Sequence, residues 1–276
     1  MTATIVLAPS AGAGRRQSAV LAFASDTMLI FRRQLRLSLR NPAWVIIGLV
    51  QPILYLALFG PLLARIATGA GMPGVPADNP YGFFVPGLLI QLGLFGAAFV
   101  GFSIIADWRA GVIERFRVTP VSRMALLAGR VLRDVLTLSV QALMLVLAGL
   151  AFGLRAPVAG VLIGLCFVAV VAVSLSALSY TVGLVLKSED ALAPLINMIV
   201  LPLMLLSGIM LPMTLGPHWL RAAAKATPFG YIINAMRDAF AGHYFNSVVV
   251  EGIAVSVGLA IICLWLAGRA FVKENA

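Results

Sequence analysis

The segment 114–123 reads ERFRVTPVSR and combines fixed charges with apolar side chains between two long apolar runs. An aromatic residue flanked by arginines is typical of a protein-interface anchor. Pro120 ends any helix that precedes it, and Thr119 or Ser122 can cap the next helix. A positively charged connector is the alternative interpretation, but a connector requires neither Phe116 nor Pro120. The pattern therefore favours a short docking helix that lies along the membrane.

Motifs for catalysis are absent from this sequence. A phosphate-binding loop ends in Gly-Lys-Ser/Thr, and none of the three lysines, Lys187, Lys225 and Lys273, follows a glycine. The chain therefore cannot hydrolyse ATP through a P-loop of its own. No Gly-x-Ser-x-Gly or His-Glu-x-x-His sequence occurs, and the only histidines, His218 and His243, lack the spacing of a metal motif. We predict no metal site in this chain.

Composition indicates that the bilayer is the solvent of this chain. Of its 276 residues, 61% are hydrophobic and 11% are charged, whereas soluble domains carry about 25% charged residues. Six charge-free stretches fit membrane-crossing helices, which need roughly 20 apolar residues each. We predict an all-α, polytopic membrane protein with six transmembrane helices, at about residues 44–63, 83–106, 135–154, 158–186, 191–212 and 248–267.

Basic residues are unevenly distributed over the predicted loops. With the N-terminus inside, fifteen lysines and arginines lie on the cytoplasmic side and five lie outside. Positive charge next to the spans sets membrane orientation, so we predict that both termini are cytoplasmic. The same bias accounts for the net charge of +10, and nucleic-acid binding is not needed to explain it.

Residues 25–40 have the pattern of a helix in the lipid headgroup region. Apolar and cationic residues form separate stripes at helical spacing, as in amphipathic helices that lie in the membrane interface. A plain positive flank of the first span is the alternative. The cationic stripe consists of Arg32, Arg33, Arg36 and Arg40. We predict a flexible cytoplasmic tail over residues 1–24 and one transmembrane domain over residues 25–276.

Uncharged polar side chains remain as candidates for chemistry inside the spans. They can line a path for an amphipathic substrate, or form interhelical hydrogen bonds worth about 0.6 kcal/mol each. Our candidates for the path are Gln51, Tyr55, Gln91 and Asn197. None of the ten acidic residues lies near the centre of a predicted span, and Asp134 and Glu251 lie at span ends. This argues against a proton-driven carrier, which usually keeps ionisable groups inside its spans.

The region between the fifth and sixth spans predicts short external helices. A helix break at Ser207, Gly208 and Pro212 precedes amphipathic pieces at about 219–226 and 229–240. Neither piece is long and apolar enough to span alone, so we expect both to lie at the outer interface or to re-enter it. Elsewhere, Gly160 and Gly164 form a small-xxx-small pair, which favours close helix packing or an oligomer contact.

The chain resembles the ABC type-2 permease family, and within it the daunorubicin-resistance-like drug-exporter permeases. The resemblance rests on the six spans, the loop Glu-Arg-Phe-Arg-x-x-Pro-x-Ser-Arg and the pattern Ser-Gly…Pro…Trp-Leu…Pro…Arg, and it covers about residues 25–272. It implies that loop 107–123 is a coupling helix that docks in a cleft of an ATPase, and that residues 26–40 are a connecting helix. The implied coupling residues are Asp107, Arg109, Glu114, Arg115, Phe116, Arg117, Pro120 and Arg123. The implied external gate contains Ser207, Gly208, Pro212, Trp219, Pro228 and Arg237.

The resemblance also implies partners and a function. Two separate ABC ATPase subunits would hold ATP and magnesium, this chain would bind no cofactor, and a second permease subunit would complete a homodimer or a heterodimer. Such a complex would export a drug, lipid or glycoconjugate across the bacterial cytoplasmic membrane. An ion-coupled secondary carrier and a non-transporting membrane scaffold are the alternative functions.

Overall fold

The computed structural model of the protein describes residues 19–41, 43–69, 75–112, 122–209 and 216–274. These residues form helices joined by short turns, with no strand among them. The helices are α1 (Ala19–Arg40), α2 (Ala43–Gly69), α3 (Pro80–Ala98), α4 (Gly101–Arg109), α5 (Arg123–Ala151), α6 (Val158–Leu186), α7 (Glu189–Leu206), α8 (His218–Lys225), α9 (Pro228–Phe240) and α10 (Ser247–Glu274).

Six helical segments of the described chain are long and apolar enough to cross a membrane. They are Val45–Gly69, Pro80–Arg109, Met124–Ala151, Val158–Leu186, Glu189–Leu206 and Ser247–Ala270. The prediction of an all-helical protein with six candidate spans is therefore confirmed. Because consecutive spans alternate in direction, the molecule has two ends: α4 stops and α5 starts at one, which we call the coupling end, and α8 and α9 lie at the other, which we call the gate end.

The helix bounds differ from the charge-free stretches wherever the chain buries a charge or places a cap. The fourth span, α6, coincides with residues 158–186. Helix α5 begins at Arg123, where the predicted cap at Ser122 puts a helix start, and so precedes the third predicted span. Ser122 starts α5, since its hydroxyl accepts a hydrogen bond from the N–H of Ala125 at 3.1 Å, as an N-cap does. The fifth span ends at Leu206, before the predicted end at residue 212, and Ser207 is its C-cap.

Helix α1 packs along α5 at the coupling end. A side chain at Gly129 would lie 2.8 Å from Ile30, so the two helices meet closely, and Ile30 is buried. The backbone N–H of Ser122 donates to Asp26 at 3.4 Å, which ties the start of α5 to α1. The headgroup location of α1 stays a prediction, and most of the predicted tail, residues 1–18, lies outside the described chain.

Helix α3 lies at the centre of the bundle, with α2, α5, α6 and α9 around it. Its side chains are buried on nearly every face, and Leu88, Leu89 and Ile90 are fully enclosed. Asn79 caps its start by accepting from the N–H of Gly82 and donates to the carbonyl of Arg155 at 2.6 Å. The central helix is thus fixed at the gate end to the turn between α5 and α6.

The Gly160 and Gly164 pair packs α6 against α9. A Cβ at Gly160 would lie 2.2 Å from the backbone oxygen of Ala239, and one at Gly164 would lie 2.7 Å from the Phe240 ring. The packing interpretation of this motif is confirmed, and the contact lies within one chain. These glycines allow the short α9 to lie directly on a spanning helix, where its apolar face is buried.

We expect Gly160→Ala to lower the free energy of unfolding by about 1–3 kcal/mol, because the new methyl group must displace backbone rather than a flexible side chain. Thermal unfolding in detergent measures this change. Gly258→Ala is the matched control, since nothing lies within 4 Å of the added atom, and its effect should stay within about 1 kcal/mol. Equal melting temperatures for both variants would contradict the close contact between α6 and α9.

Candidate functional site

A cluster of charged groups joins α4, α5 and α6 near the coupling end. Arg130 is 1% exposed, and its Nη2 lies 2.5 Å from Asp107 Oδ2. The Tyr180 hydroxyl donates to Asp134 Oδ2 at 2.6 Å, and Arg133 Nη1 lies 3.1 Å from Asp134 Oδ1. The Arg130 guanidinium also lies 5.9 Å from the centre of the Tyr180 ring. We call these five residues the buried charge cluster.

The helical repeat explains why α5 supplies three of these groups. Arg130, Arg133 and Asp134 are spaced three and four residues apart, and such residues share one face of a helix. A buried charge is tolerated only when it is paired, and the two cations and two carboxylates of the cluster balance. The predicted third span began after Asp134, so sequence reasoning treated these charges as a span boundary. A signal was present in the composition, because Asp107 and Asp134 balance Arg130 and Arg133 in number and sign.

A second, more exposed contact borders the cluster. Arg109 Nη1 lies 3.2 Å from Glu189 Oε1, and both side chains are about half exposed. Lys187, which adopts a left-handed φ of 53° in the turn between α6 and α7, places its ammonium group 5.8 Å from the Trp108 ring centre. The end of α4 therefore contacts the turn that starts α7.

The predicted coupling residues lie partly within the described chain. Asp107 and Arg109 are in α4, and Arg123 is the first residue of α5. Glu114, Arg115, Phe116, Arg117 and Pro120 lie outside the described residues. The coupling role of all eight residues stays a prediction, but the helices on both sides of the segment converge on the buried charge cluster.

A cavity of 240 Å³ lies between α2, α3 and α5, next to this cluster. Arg133 and Asp134 line it, together with the amides of Gln51, Gln91 and Gln141. The remaining walls are mostly apolar: Ile47, Gly48, Pro52, Leu92, Phe95, Gly96, Phe99, Val100, Thr137 and Leu138.

Two of the four predicted path residues line this cavity and two do not. Gln51 and Gln91 do. Tyr55 lies one turn beyond Gln51 and accepts a hydrogen bond from it at 3.4 Å. Asn197 is exposed on α7 and donates to the carbonyl of Ala193, away from the cavity. A path role for these residues stays a prediction. Gln141 was not among the candidates, and its position beside α2 became visible only from the packing of α5.

Arg237 is the central group at the gate end. Its Nη2 donates to the carbonyl of Gly208 at 2.8 Å and its Nε to that of Phe83 at 3.0 Å. The guanidinium lies 3.5 Å from the Phe83 ring centre. Burial lowers the pKa of Arg237 to about 9, so the group is still a cation at neutral pH. It thereby supplies a partner to the backbone carbonyl of Gly208, just after the end of α7, and buried backbone carbonyls need such partners.

Of the other predicted gate residues, Ser207 and Gly208 lie near Arg237 and line the same pocket. Ser207 donates through its hydroxyl to the carbonyl of Leu203. Gly208 has a φ of +69°, which favours glycine. Pro228 is the first residue of α9. Trp219 is 69% exposed on α8 and does not contribute to the enclosed part of the site. Pro212 lies outside the described residues. A gate function stays a prediction.

Six helical segments among the described residues, long and apolar enough to cross a membrane, indicate the class of protein, and comparisons with known proteins define the family. The described part of the chain has no group of three side chains arranged to hold a metal ion. The chain belongs to the ABC-2 type transporter family, whose model matches residues 25–241. It is a multi-pass membrane transport permease and not itself an enzyme, and the family's ATPase is a separate partner.

Individual relatives match the chain over most of its length. The daunorubicin resistance ABC transporter permease protein DrrB1 of Streptomyces coeruleorubidus is 26% identical over 266 residues, which cover 96% of this chain and 92% of the relative. The putative transport permease ycf38 of Cyanophora paradoxa is 24% identical over 249 residues, or 88% and 84% of the two chains. The protein of the same name from Porphyra purpurea is 26% identical over 210 residues, or 75% and 71%.

We expect Arg130→Met to lower the free energy of unfolding by about 2–4 kcal/mol, because Asp107 would lose the partner of its partly buried charge. Arg109→Met is the matched control: it breaks the exposed pair with Glu189 and should cost less than about 1 kcal/mol. Thermal unfolding of both variants in the same lipid nanodiscs measures the difference. Equal losses would contradict a structural role for the buried charge cluster.

At the gate end, Arg237→Lys should destabilise the protein by about 1–3 kcal/mol, although it keeps the charge. One ammonium group cannot reproduce the planar set of donors that reaches Phe83 and Gly208 together. Arg221→Lys, at an exposed position on α8, is the control and should be neutral. If Arg237→Lys matches the wild-type melting temperature, the hydrogen bonds to the backbone contribute nothing measurable.

Proposed function

We propose that this permease is the membrane subunit of an exporter driven by ATP hydrolysis on separate subunits. The observation that carries the proposal is the convergence of α4 and α5, the helices that flank segment 113–121, on the buried charge cluster. A P-loop is absent from the sequence, so the energy of ATP must reach the spans through contact with a partner. The segment with fixed charges, Phe116 and Pro120 is the best candidate for that contact.

The geometry supports a transmission of movement from this segment into the bundle. Asp107 and Arg130 form a short ion pair between α4 and α5, and Tyr180 links α6 to α5 through Asp134. Charge-assisted hydrogen bonds of this kind are short and directional, so displacement of one helix end is transmitted to the others. Closure of ATPase subunits against segment 107–123 would thus tilt α4, α5 and α6 together, which shifts the population towards an outward-open state.

The proposal places the chain in a complex with two ATPase subunits and a second permease, in the bacterial cytoplasmic membrane with both termini inside. Its cargo would be a hydrophobic or amphipathic molecule. The Streptomyces relative is named for resistance to daunorubicin, which is consistent with such a cargo for that protein. A secondary carrier is the weaker alternative, because Asp107 and Asp134 are already paired with arginines rather than free to carry ions. The other carboxylates of the described spans, Glu189, Asp190 and Glu251, lie within the first five residues of theirs.

We expect Phe116→Ala and Glu114→Ala each to weaken co-purification with the partner ATPase at least about tenfold, as loss of an interface anchor does. Trp219→Ala is the control, because this exposed aromatic residue lies at the gate end and should leave the complex intact. Pull-down of co-expressed, tagged ATPase measures the association. Wild-type recovery with both coupling variants would exclude this segment as the docking site.

The energy source is tested separately with vesicles that contain the complex. A substrate screen based on stimulated ATP hydrolysis identifies a cargo, and its accumulation should then require a hydrolysis-competent ATPase. Accumulation that persists with a hydrolysis-deficient ATPase, and that a proton gradient drives instead, would support the carrier.

A further inference from the structure

We propose that the cavity between α2, α3 and α5 binds the uncharged polar headgroup of an amphiphilic molecule. This inference deepens the proposed function. It rests on that function only for the statement that the bound molecule is cargo. The site lies within one protomer and is built around the amide of Gln91.

Gln91 is a buried polar group whose amide has no partner among the described residues. Its side chain is 1% exposed, and within the described chain neither Nε2 nor Oε1 has a hydrogen-bond partner. A buried amide in this state costs free energy, since it loses the hydrogen bonds that water gave it. The amide offers both a donor and an acceptor to the cavity, so a ligand group that accepts and donates, such as a hydroxyl, fits it.

The charges beside the cavity argue against an ionic ligand. Arg133 and Asp134 line the cavity, but they pair with each other at 3.1 Å, and Tyr180 also binds the carboxylate. A phosphate or an ammonium group placed here would find no unpaired counter-charge and would itself be a buried, uncompensated ion. The polar groups that remain are the amides and the buried Nε of Arg133, a further hydrogen-bond donor. A neutral group that accepts and donates hydrogen bonds can satisfy them without adding a charge.

The size and walls of the cavity match one polar ring. A volume of 240 Å³ equals that of about eight water molecules at about 30 Å³ each, below the usual range of about 300–1,000 Å³ for drug-sized ligands. Phe95 and Phe99 are stacked, with ring centres 6.3 Å apart, and form an apolar wall. Mostly apolar walls with a few placed polar groups are characteristic of ligand sites.

The apolar part of the ligand would leave the cavity past α2. Ile47 and Gln51 line the cavity, yet Ile47 is 62% exposed and Gln51 is exposed as well. The site is therefore open on the side where α2 presents apolar residues outward. A molecule with a neutral headgroup and a hydrocarbon tail can place its headgroup against Gln91 while its tail stays in an apolar environment.

Photolabelling tests the site with probes of defined chemistry. The full chain in lipid nanodiscs, without ATP, is exposed to decyl β-D-glucoside that carries a diazirine in its alkyl chain. Decyl phosphate and decylammonium with the same diazirine are the charged comparisons. We expect the glucoside to label peptides of α2, α3 and α5 preferentially, and Gln91→Leu to reduce this labelling about tenfold, as the loss of two hydrogen bonds predicts.

Two further variants keep the test decisive. Asn41→Leu is the matched control, an amide-to-leucine change at an exposed position between α1 and α2 that does not line the cavity, and should leave labelling unchanged. Gln51→Leu, at an exposed position, should reduce labelling severalfold even if Gln91→Leu fails to fold. Three results would overturn the inference: undiminished labelling in Gln51→Leu and in any folded Gln91→Leu protein, equal labelling by the charged probes, or no labelling of these peptides by any probe. The last result would mean that the cavity holds only water.

The outcome is separable from that of the proposed function. Glucoside labelling of a chain that does not associate with an ATPase would keep the site and reject the ATP-driven exporter. Association and ATP-dependent transport without glucoside labelling would keep the exporter and reject the headgroup site.

Discussion

Arg130 is a cation enclosed by the bundle, and its pairing with Asp107 is the constraint on which the coupling end of this permease depends. Removing a guanidinium from water is tolerated only with a well-placed partner. Asp107 is supplied by α4, so α4 must meet α5 at this point, and the intervening segment must return the chain between them. Tyr180 and Asp134 extend the same requirement to α6. The cluster therefore sets the relative positions of three helices.

At the gate end, a different set of contacts fixes the relative positions of three helices. Arg237 binds backbone carbonyls instead of carboxylates, and so connects the end of α7, the start of α3 and the short α9. Close approach is needed for this arrangement: a Cβ at Gly87 would lie 2.6 Å from the carbonyl oxygen of Ile209. The two arginine sites lie at opposite ends of the spans, and the central helix α3 reaches from the gate site towards the cavity beside Gln91.

The sequence predicted the helical class, six candidate spans and two short helices between the last two of them because hydropathy and proline positions act locally. Ser122 was among the predicted caps for the start of α5, but the third span was predicted to begin only after Asp134. Arg130 and Asp134 lie inside the helix because they pair with residues distant in sequence, Asp107 and Tyr180. Asn197 was selected as a polar residue inside a span, but its amide donates to the carbonyl one turn before it. Gln141 was not among the chosen path candidates, since only the packing of α5 against α2 shows that it borders the same cavity as Gln51 and Gln91.

We propose that movement of segment 113–121, between α4 and α5, reaches the cavity through the buried charge cluster. The most direct test is the distance between nitroxide labels at Ala110, after α4, and Val50, on α2, in the complex with its ATPase. The account predicts that trapping ATP shifts the distance distribution to a new maximum, and that Arg130→Met abolishes the shift while ATP still binds. An identical distribution with and without trapped ATP, in a complex that hydrolyses ATP, would contradict it.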